Sequence, residues 1–145
     1  MSIPSLPVRL LDPRAVLPSY AHPGDAGMDL AACEVVEIAP GTAAMVRTGI
    51  AIALPPGTEA QVRPRSGLAA RNAVTVLNTP GTVDEGYRGE IRVILITHGL
   101  EVFRVTPGMR IAQLVVAPVL RVRPEAVDSL PETARGEAGF GSTGV

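Results

Sequence analysis

Six of the polar side chains in one short stretch, LNTPGTVDEGYRGEI at residues 77–91, could take part in chemistry. They are an amide, a hydroxyl, two carboxylates, a phenol and a guanidinium: Asn78, Thr79, Asp84, Glu85, Tyr87 and Arg88. A carboxylate can deprotonate a water, and an amide can read the hydrogen-bonding edge of a base. Since Tyr87 is one of only four aromatic residues in the chain, its position favours a binding pocket. A plain surface hairpin is the alternative interpretation.

Two strand-like segments flank this stretch and would hold it in place. They are Val74–Leu77 and Ile91–Ile96, and both are rich in β-branched residues. The connection between them is long for a hairpin and rich in Gly and Pro. Because binding and catalytic groups concentrate in loops that a rigid sheet supports, we interpret this connection as a functional hairpin.

The rest of the chain has the pattern of an all-β protein. Its 15 Gly and 14 Pro residues separate short runs of Val, Ile and Thr. The predicted strands are Pro7–Leu11, Met28–Ala32, Val35–Ile38, Ala43–Ala53, Glu59–Arg63, Val74–Leu77, Glu90–Thr97, Leu100–Val105 and Arg110–Val119. The strand Glu90–Thr97 becomes apolar on both faces, which predicts burial between two layers. The whole pattern favours a sandwich, a jelly roll or a barrel.

One segment, Pro64–Arg71 (PRSGLAAR), departs from the strand pattern. It predicts a short helix with Ser66 as its N-cap. Free N–H groups and the positive end of the helix dipole would then lie beside Arg65, where they could bind phosphate. An ordinary connecting turn with a capping serine would have the same sequence.

The last 25 residues, 121–145, contain few apolar residues and many glycines. This composition is typical of a flexible terminus. The glycines nevertheless alternate with groups that suit a nucleotide: Arg135 supplies charge, Ser142 and Thr143 supply hydroxyls, and Phe140 could stack on a base. The residues alone leave both interpretations open.

Length and composition limit the class of protein. A chain of 145 residues with net charge −1 predicts one domain without the basic surface needed for nucleic acid or an acidic membrane. All its strong cations are arginines, which suit bidentate phosphate contacts, although a GC-rich genome would also favour them. The single Cys33 predicts a buried thiol in a reducing compartment. With no signal-peptide pattern and no apolar run near the ~20 residues that span a bilayer, we expect a cytoplasmic protein.

Five separated stretches together resemble, in order and spacing, the five motifs of the trimeric dUTPases, the deoxyuridine triphosphate nucleotidohydrolases. The stretches are PGDAGMDLAA (Pro23–Ala32), PRSGLAAR (Pro64–Arg71), Leu77–Ile91, RIAQLV (Arg110–Val115) and RGEAGFGSTG (Arg135–Gly144). Each is weak alone, but the resemblance covers essentially the whole chain.

This resemblance implies a jelly-roll-like, distorted β-barrel subunit in a homotrimer. Residues 1–120 would form a single β domain, and residues 121–145 an arm that closes over a neighbouring subunit's active site. It also implies hydrolysis of dUTP to dUMP and pyrophosphate with Mg²⁺, which limits uracil incorporation into DNA and supplies dUMP for dTMP synthesis.

The resemblance implies a role for individual residues. Asp84 would activate the attacking water, and its neighbour Glu85, the rival base, is expected to be solvated. Uracil and deoxyribose would be bound by Asn78, Thr82, Val83, Tyr87 and Phe140. The phosphates would be bound by Arg65, Ser66, Gly67, Gln113, Arg135, Gly141, Ser142 and Thr143.

The metal would be held mainly by phosphate oxygens and waters, with Asp29 supporting its water shell. The sequence has no His/Cys cluster for zinc, and His22 and His98 are expected at the surface. Ala138 stands where many family members have glycine, which would stiffen the arm slightly.

Two other functions fit parts of this pattern. A dCTP deaminase, or a bifunctional deaminase and dUTPase, would share the fold, but the hairpin has the Asp-x-x-Tyr arrangement of the hydrolase. A trimeric β-module that has lost catalysis and binds a protein partner would be expected to carry damaged motifs, whereas all five are intact.

Overall fold

The computed structural model describes residues 2–145, which form eleven strands and one helix. The elements in chain order are β1 (Val8–Leu10), β2 (Met28–Ala31), β3 (Val36–Ile38), β4 (Ala43–Arg47), β5 (Ile50–Ile52), β6 (Thr58–Arg63), α1 (Ser66–Asn72), β7 (Val74–Val76), β8 (Gly81–Val83), β9 (Arg92–Thr97), β10 (Phe103–Val105) and β11 (Arg110–Pro118). The predicted all-β class and the single short helix are confirmed.

The strands form small antiparallel sheets around one core. The largest has the order β2-β11-β6-β8, and a second has the order β4-β9-β7. Two-stranded pairs, β1-β5 and β3-β10, complete the jelly-roll-like barrel. One continuous cluster of buried aliphatic side chains, among them Leu30, Val46, Val93, Leu95 and Leu114, joins all these sheets. The non-consecutive pairing of β6 with β11 and β8 ties distant parts of the chain together.

The second face of β9 differs from the prediction. Val93 and Leu95 face the core, but Ile94 and Ile96 are only half-buried. Ile94 lies opposite Met45 of β4, whose side chain is 55% exposed. The sheet β4-β9-β7 therefore presents an apolar outer face that a single chain does not cover.

The predicted strand Ala43–Ala53 is divided into β4 and β5. Gly49 adopts a left-handed backbone with φ of 72°, and a Cβ there would come within 3.0 Å of Ala15 and Asp12 side-chain atoms. The buried Thr48 hydroxyl donates to the Ile91 carbonyl. The chain therefore turns at Thr48–Gly49 and docks on the end of the functional hairpin.

Other differences concern the ends of elements. The strand predicted from Leu100 begins at Phe103, and β8 was not predicted at all. Ser66 is the first helical residue and not the N-cap, so that prediction is wrong. The N-cap is Arg65, which has an extended backbone and makes no side-chain cap bond. The helix ends at Asn72. Its C-cap is Ala73, which has a left-handed conformation and whose N–H bonds to the Ala69 carbonyl.

Beyond Pro118 the described chain has no further helix or strand. The Val119 N–H bonds to the Gly57 carbonyl at 2.9 Å, and the remaining backbone bonds of this region are local turns. Within residues 2–145, the helix is far too short and insufficiently apolar to span a bilayer.

Candidate active site

The connection from β7 to β9 forms the wall of a cleft of about 410 Å³. The predicted hairpin residues line it together: Asn78, Thr82, Val83, Asp84 and Tyr87. Strand β8 causes this arrangement, because it leaves the hairpin to pair with β6 in another sheet. A cleft of this size suits a small-molecule ligand. The plain-hairpin alternative is therefore wrong, because the connection folds into a concave site.

Tyr87 is fixed over the backbone of the residues that follow it. Its hydroxyl donates to the Glu90 carbonyl at 2.9 Å, and its N–H donates to the Asp84 carbonyl at 3.0 Å. The ring lies so close to Gly89 that a Cβ there would be 2.6 Å from the ring atom Cζ. The residue remains 48% exposed, so part of its side chain is accessible to a ligand.

Asp84 and Glu85 have different environments. The Asp84 carboxylate is exposed at the cleft and takes part in none of the ion pairs formed by the part of the chain that the structure describes. Glu85 is also exposed, but its Oε1 accepts a hydrogen bond from the Gly57 N–H at 2.5 Å. Glu85 is therefore exposed to solvent, as expected, and its carboxylate in addition anchors the hairpin to the β5–β6 turn.

Glu90 lies at the base of the cleft in a network of arginines. Its carboxylate accepts hydrogen bonds from Arg47 Nε at 3.1 and 3.2 Å and from the Gly49 N–H at 3.0 Å. The hydrogen bond and charge of Glu90 raise the pKa of Arg47 above its ordinary value. Asp12 also faces Arg47, at 3.6 Å, and the hydrogen bonds from Arg14 lower the pKa of Asp12.

A second cleft, of about 640 Å³, lies near two of the predicted phosphate residues, Gln113 and Arg65. Gln113 lines this cleft and donates to the Pro64 carbonyl at 3.3 Å. A Cβ on Gly27 would meet Gln113 Oε1 at 2.6 Å. The absence of a side chain at Gly27 therefore leaves room for the Gln113 amide. Arg65 Nε is 3.6 Å from Asp29 Oδ1, and Asp29 pairs with Gln113 across β2 and β11.

Ser66 and Gly67 begin helix α1 directly after Arg65. Gly67 is covered by Arg71, whose Nη2 would be 2.7 Å from a Cβ at Gly67. The structure thus gathers Arg65, Ser66, Gly67 and Gln113 at the end of β6.

The predicted arm residues do not join either group. Arg135, Phe140, Gly141, Ser142 and Thr143 line neither cleft. Arg135 Nε donates to the Ala138 carbonyl at 2.9 Å, and the Ser142 N–H donates to the Gly139 carbonyl. Phe140 is fully exposed, in a left-handed conformation with φ of 48°.

The predicted base Asp84 and the predicted phosphate residue Arg65 lie beyond opposite ends of β6. Val83 pairs with Ala60, so Asp84 follows opposite Glu59. Arg65 comes six residues after Glu59, beyond the other end of β6. At 3.3 Å per strand residue, the backbones of Asp84 and Arg65 are therefore roughly 20 Å apart. Along this sheet, the backbones of Asp84 and Arg65 in one chain are therefore far apart.

Asp29 is the predicted support for a metal, and its environment decides what kind of metal site fits. Its two carboxylate oxygens lie 3.6 Å from Arg65 and 3.5 Å from Arg110. Within residues 2–145 no group of three or more His, Cys, Asp or Glu residues could hold a metal ion. These residues fit an ion that is held by substrate phosphates and waters, with Asp29 binding a water through a remaining lone pair.

Several residues at the two clefts were missed by sequence reasoning. They are Met45, Val62, Glu90, Ile91, Arg92 and Ile94 at the first cleft, Gly27 at the second, and Arg110 beside Asp29. Glu90 and Arg110 are charged residues at the edges of recognised motifs, which is a usable signal. Met45 and Ile94 look like ordinary strand residues in the sequence, so nothing in the sequence indicates that they line a cleft.

Comparison with known proteins identifies the family. A family model described as dUTPase matches residues 14–144. The chain belongs to the dUTPase family. The predicted resemblance is therefore confirmed over nearly the whole sequence.

Individual relatives agree with this assignment. The chain is 63% identical over 140 residues to the deoxyuridine 5'-triphosphate nucleotidohydrolase of Gloeothece citriformis (strain PCC 7424), covering 97% of each protein. It matches a Staphylococcus bacteriophage 80alpha dUTPase with dUpNHpp at a TM-score of 0.90 and 27% identity, covering 97% of this chain and 99% of the phage chain. A dUTPase from phage phi11 of S. aureus, described with a structural Mg(II) ion, shares the fold at a TM-score of 0.79 and 24% identity, covering 87% and 98%.

Proposed function

We propose that this member of the dUTPase family hydrolyses dUTP to dUMP and pyrophosphate. The observation that carries the proposal is the placement of Asn78, Asp84 and Tyr87 along one cleft. These residues supply an amide for a base, an unpaired carboxylate for a water and a ring for a sugar. The relative from Gloeothece citriformis has the corresponding name, and the phage structure contains dUpNHpp.

The proposed reaction is an in-line attack by water on the α-phosphorus. Asp84 accepts a proton from the water as its oxygen bonds to phosphorus, and the bond between that phosphorus and the α–β bridging oxygen breaks. Pyrophosphate leaves with the bridging oxygen. Because the Asp84 carboxylate has no cation or donor to satisfy it in the described chain, it is free to orient the water.

Base and sugar selection would occur in the same cleft. Asn78 and the backbone around Thr82 and Val83 can match the donor and acceptor edge of uracil. Cytosine presents the opposite pattern at position 4, and an unpaired buried polar group costs roughly 1–3 kcal/mol. The exposed part of the Tyr87 ring would pack on the deoxyribose and leave no space for a 2′-hydroxyl.

We further propose that the active protein is a homotrimer with shared active sites. The separation of roughly 20 Å between the backbones of Asp84 and Arg65 along β6 supports phosphate-binding residues that come from another copy. The apolar outer face of β4-β9-β7, with its exposed Met45 and half-buried Ile94 and Ile96, offers a surface for a neighbour. The arm 121–145 would close on a third copy and contribute Arg135, Phe140, Gly141, Ser142 and Thr143.

Mg²⁺ is the proposed cofactor. When bound, it would neutralise charge on the phosphates and on the departing pyrophosphate. Arg65 and Gln113 would hold the same phosphates, while Asp29 would both orient Arg65 and accept a hydrogen bond from a water of the ion.

The primary test is pyrophosphate release from dUTP, dTTP, dCTP and UTP, with Mg²⁺ and with a chelator. We expect hydrolysis of dUTP above the others, and its loss on chelation. Asp84→Asn should bind dUTP but lose roughly 10²–10⁴-fold in kcat, whereas the matched Glu85→Gln, which keeps an acceptor for Gly57, should remain active. Near-normal kcat for Asp84→Asn would refute the assignment of the base.

A second test addresses the shared site. Asp84→Asn and Arg65→Ala are each expected to be inactive as homotrimers. Co-expression of the two should restore part of the activity, because mixed trimers contain sites with both residues intact. A mixture as inactive as its components would show that each chain builds its own site.

The comparisons give no support to the deaminase alternative. Absence of ammonia release from dCTP would complete its exclusion. We propose that the protein acts in the cytoplasm, where hydrolysis of dUTP would limit uracil incorporation into DNA and supply dUMP for dTMP synthesis. Measurement of genomic uracil in a strain depleted of the protein would test this role, and an unchanged uracil content would contradict it.

A further inference from the structure

We propose that Glu90 is a positioning residue that sets the discrimination of this enzyme between deoxyribose and ribose. Its carboxylate fixes the backbone carbonyl that receives the Tyr87 hydroxyl. This inference rests on the proposed function of Tyr87 as the surface for the sugar.

The Glu90 side chain is held more firmly than any other carboxylate around the cleft. It is 11% exposed and accepts hydrogen bonds from Arg47 Nε and from the Gly49 N–H. Arg92 Nε adds a weaker contact at 3.7 Å. Because charge-assisted bonds are stronger than neutral ones, this arrangement resists movement of residue 90.

Arg47 is itself fixed on its far side. Its N–H donates to Glu34 Oε2 at 2.7 Å, and its guanidinium lies 3.6 Å from Asp12. The Thr48 hydroxyl and the Ile50 carbonyl bind the backbone of Ile91. The β4–β5 turn is therefore a rigid support for the end of the hairpin.

Tyr87 transmits this rigidity to the ligand cleft. Its hydroxyl bond to the Glu90 carbonyl and the contact of its ring with Gly89 hold the ring against the backbone of residues 89 and 90. Its N–H bond to the Asp84 carbonyl closes the turn that carries the base. A displacement of the Glu90 backbone would therefore move the ring that excludes the 2′-hydroxyl.

Glu90→Gln tests the inference because glutamine keeps the size and the acceptor for Gly49 but loses the charge paired with Arg47. We expect the ratio of kcat/KM for dUTP to that for UTP to fall about tenfold, with a higher KM for dUTP and little change in melting temperature. Glu37→Gln is the matched control, because it removes an exposed ion pair with Arg104 away from the site. It should leave the ratio unchanged.

A double-mutant cycle with Tyr87→Phe separates positioning from general destabilisation. If Glu90 acts through the Tyr87 hydroxyl, Glu90→Gln should not lower the ratio further in the Tyr87→Phe protein. Additive losses of selectivity, or an unchanged ratio in folded Glu90→Gln, would overturn the inference. Should Glu90→Gln fail to fold, Arg47→Lys probes the same ion pair from its other partner, with the same expected fall.

Measurements on the wild-type enzyme separate failure of the proposed function from failure of the role of Glu90. If wild-type protein does not hydrolyse dUTP, the proposed function fails. If it hydrolyses dUTP in preference to UTP and the variants keep that preference, only the role of Glu90 is refuted.

Discussion

Replacement of Gly89 by alanine should displace Tyr87 without unfolding the protein. The new Cβ would lie 2.6 Å from Tyr87 Cζ and 2.9 Å from Cε1, and closer still to the hydroxyl oxygen. Ordinary contact begins at 3.4 Å, so the ring must move by at least about 0.8 Å. Since the ring is the far end of a half-exposed side chain, it can swing towards solvent.

The expected loss follows from the hydrogen bond of the ring. The bond between the Tyr87 hydroxyl and the Glu90 carbonyl is 2.9 Å long, and a shift of that size along the bond would lengthen it to roughly 3.7 Å, beyond hydrogen-bonding distance. Loss of one such bond corresponds to ~0.5–1.5 kcal/mol. We expect KM for dUTP to rise about two- to tenfold and discrimination against UTP to fall by a similar factor.

The assay is steady-state pyrophosphate release from dUTP and UTP, together with thermal unfolding. Gly86→Ala is the matched control in the same loop, because a Cβ at Gly86 would meet nothing within 4 Å. It should behave as the wild type in both measurements. Wild-type KM and selectivity in Gly89→Ala would refute the position assigned to Tyr87, and a large fall in melting temperature would show that the ring cannot move aside.

Three further predictions concern other parts of the chain. Truncation before Arg135 should leave the melting temperature unchanged, because the arm makes only local bonds, but should lower turnover of dUTP roughly 10²-fold; full activity would contradict the proposed closure. Gly27→Ala should push the Gln113 amide by about 0.8 Å and raise KM for dUTP, whereas unchanged KM would remove Gln113 from the phosphate site. Burial raises the pKa of Cys33 above its ordinary 9.0, so the folded state favours the thiol: its stabilising contribution is complete below pH 9 and declines as the pH rises through the folded-state pKa. A thiol reagent at pH 8 should therefore label Cys33 far more slowly in native protein than in urea, and equal rates would contradict its burial.

The hairpin at residues 77–91 shows which features a local sequence pattern can predict. Turn residues and β-branched runs placed the strands around residues 77–91 correctly, and β7 indeed pairs with β9. The same pattern did not reveal β8, because Gly81–Val83 is short and its pairing with β6 is a long-range contact. Likewise, Ser66 is a good capping residue, yet the backbone places Arg65 at the N-cap.

The sequence alone determined the all-β class, the single short helix and the family, since turn chemistry, strand propensity and motif order are local properties of the chain. Only the tertiary structure decided how the site is held. The bond between Arg47 and Glu90 joins residues 43 positions apart, and no local pattern specifies such a pairing. The tertiary structure also decided that Asp84 and Arg65 lie at opposite ends of β6, because strand register fixes their separation. That register is the physical reason for proposing that a complete active site needs more than one copy of the chain.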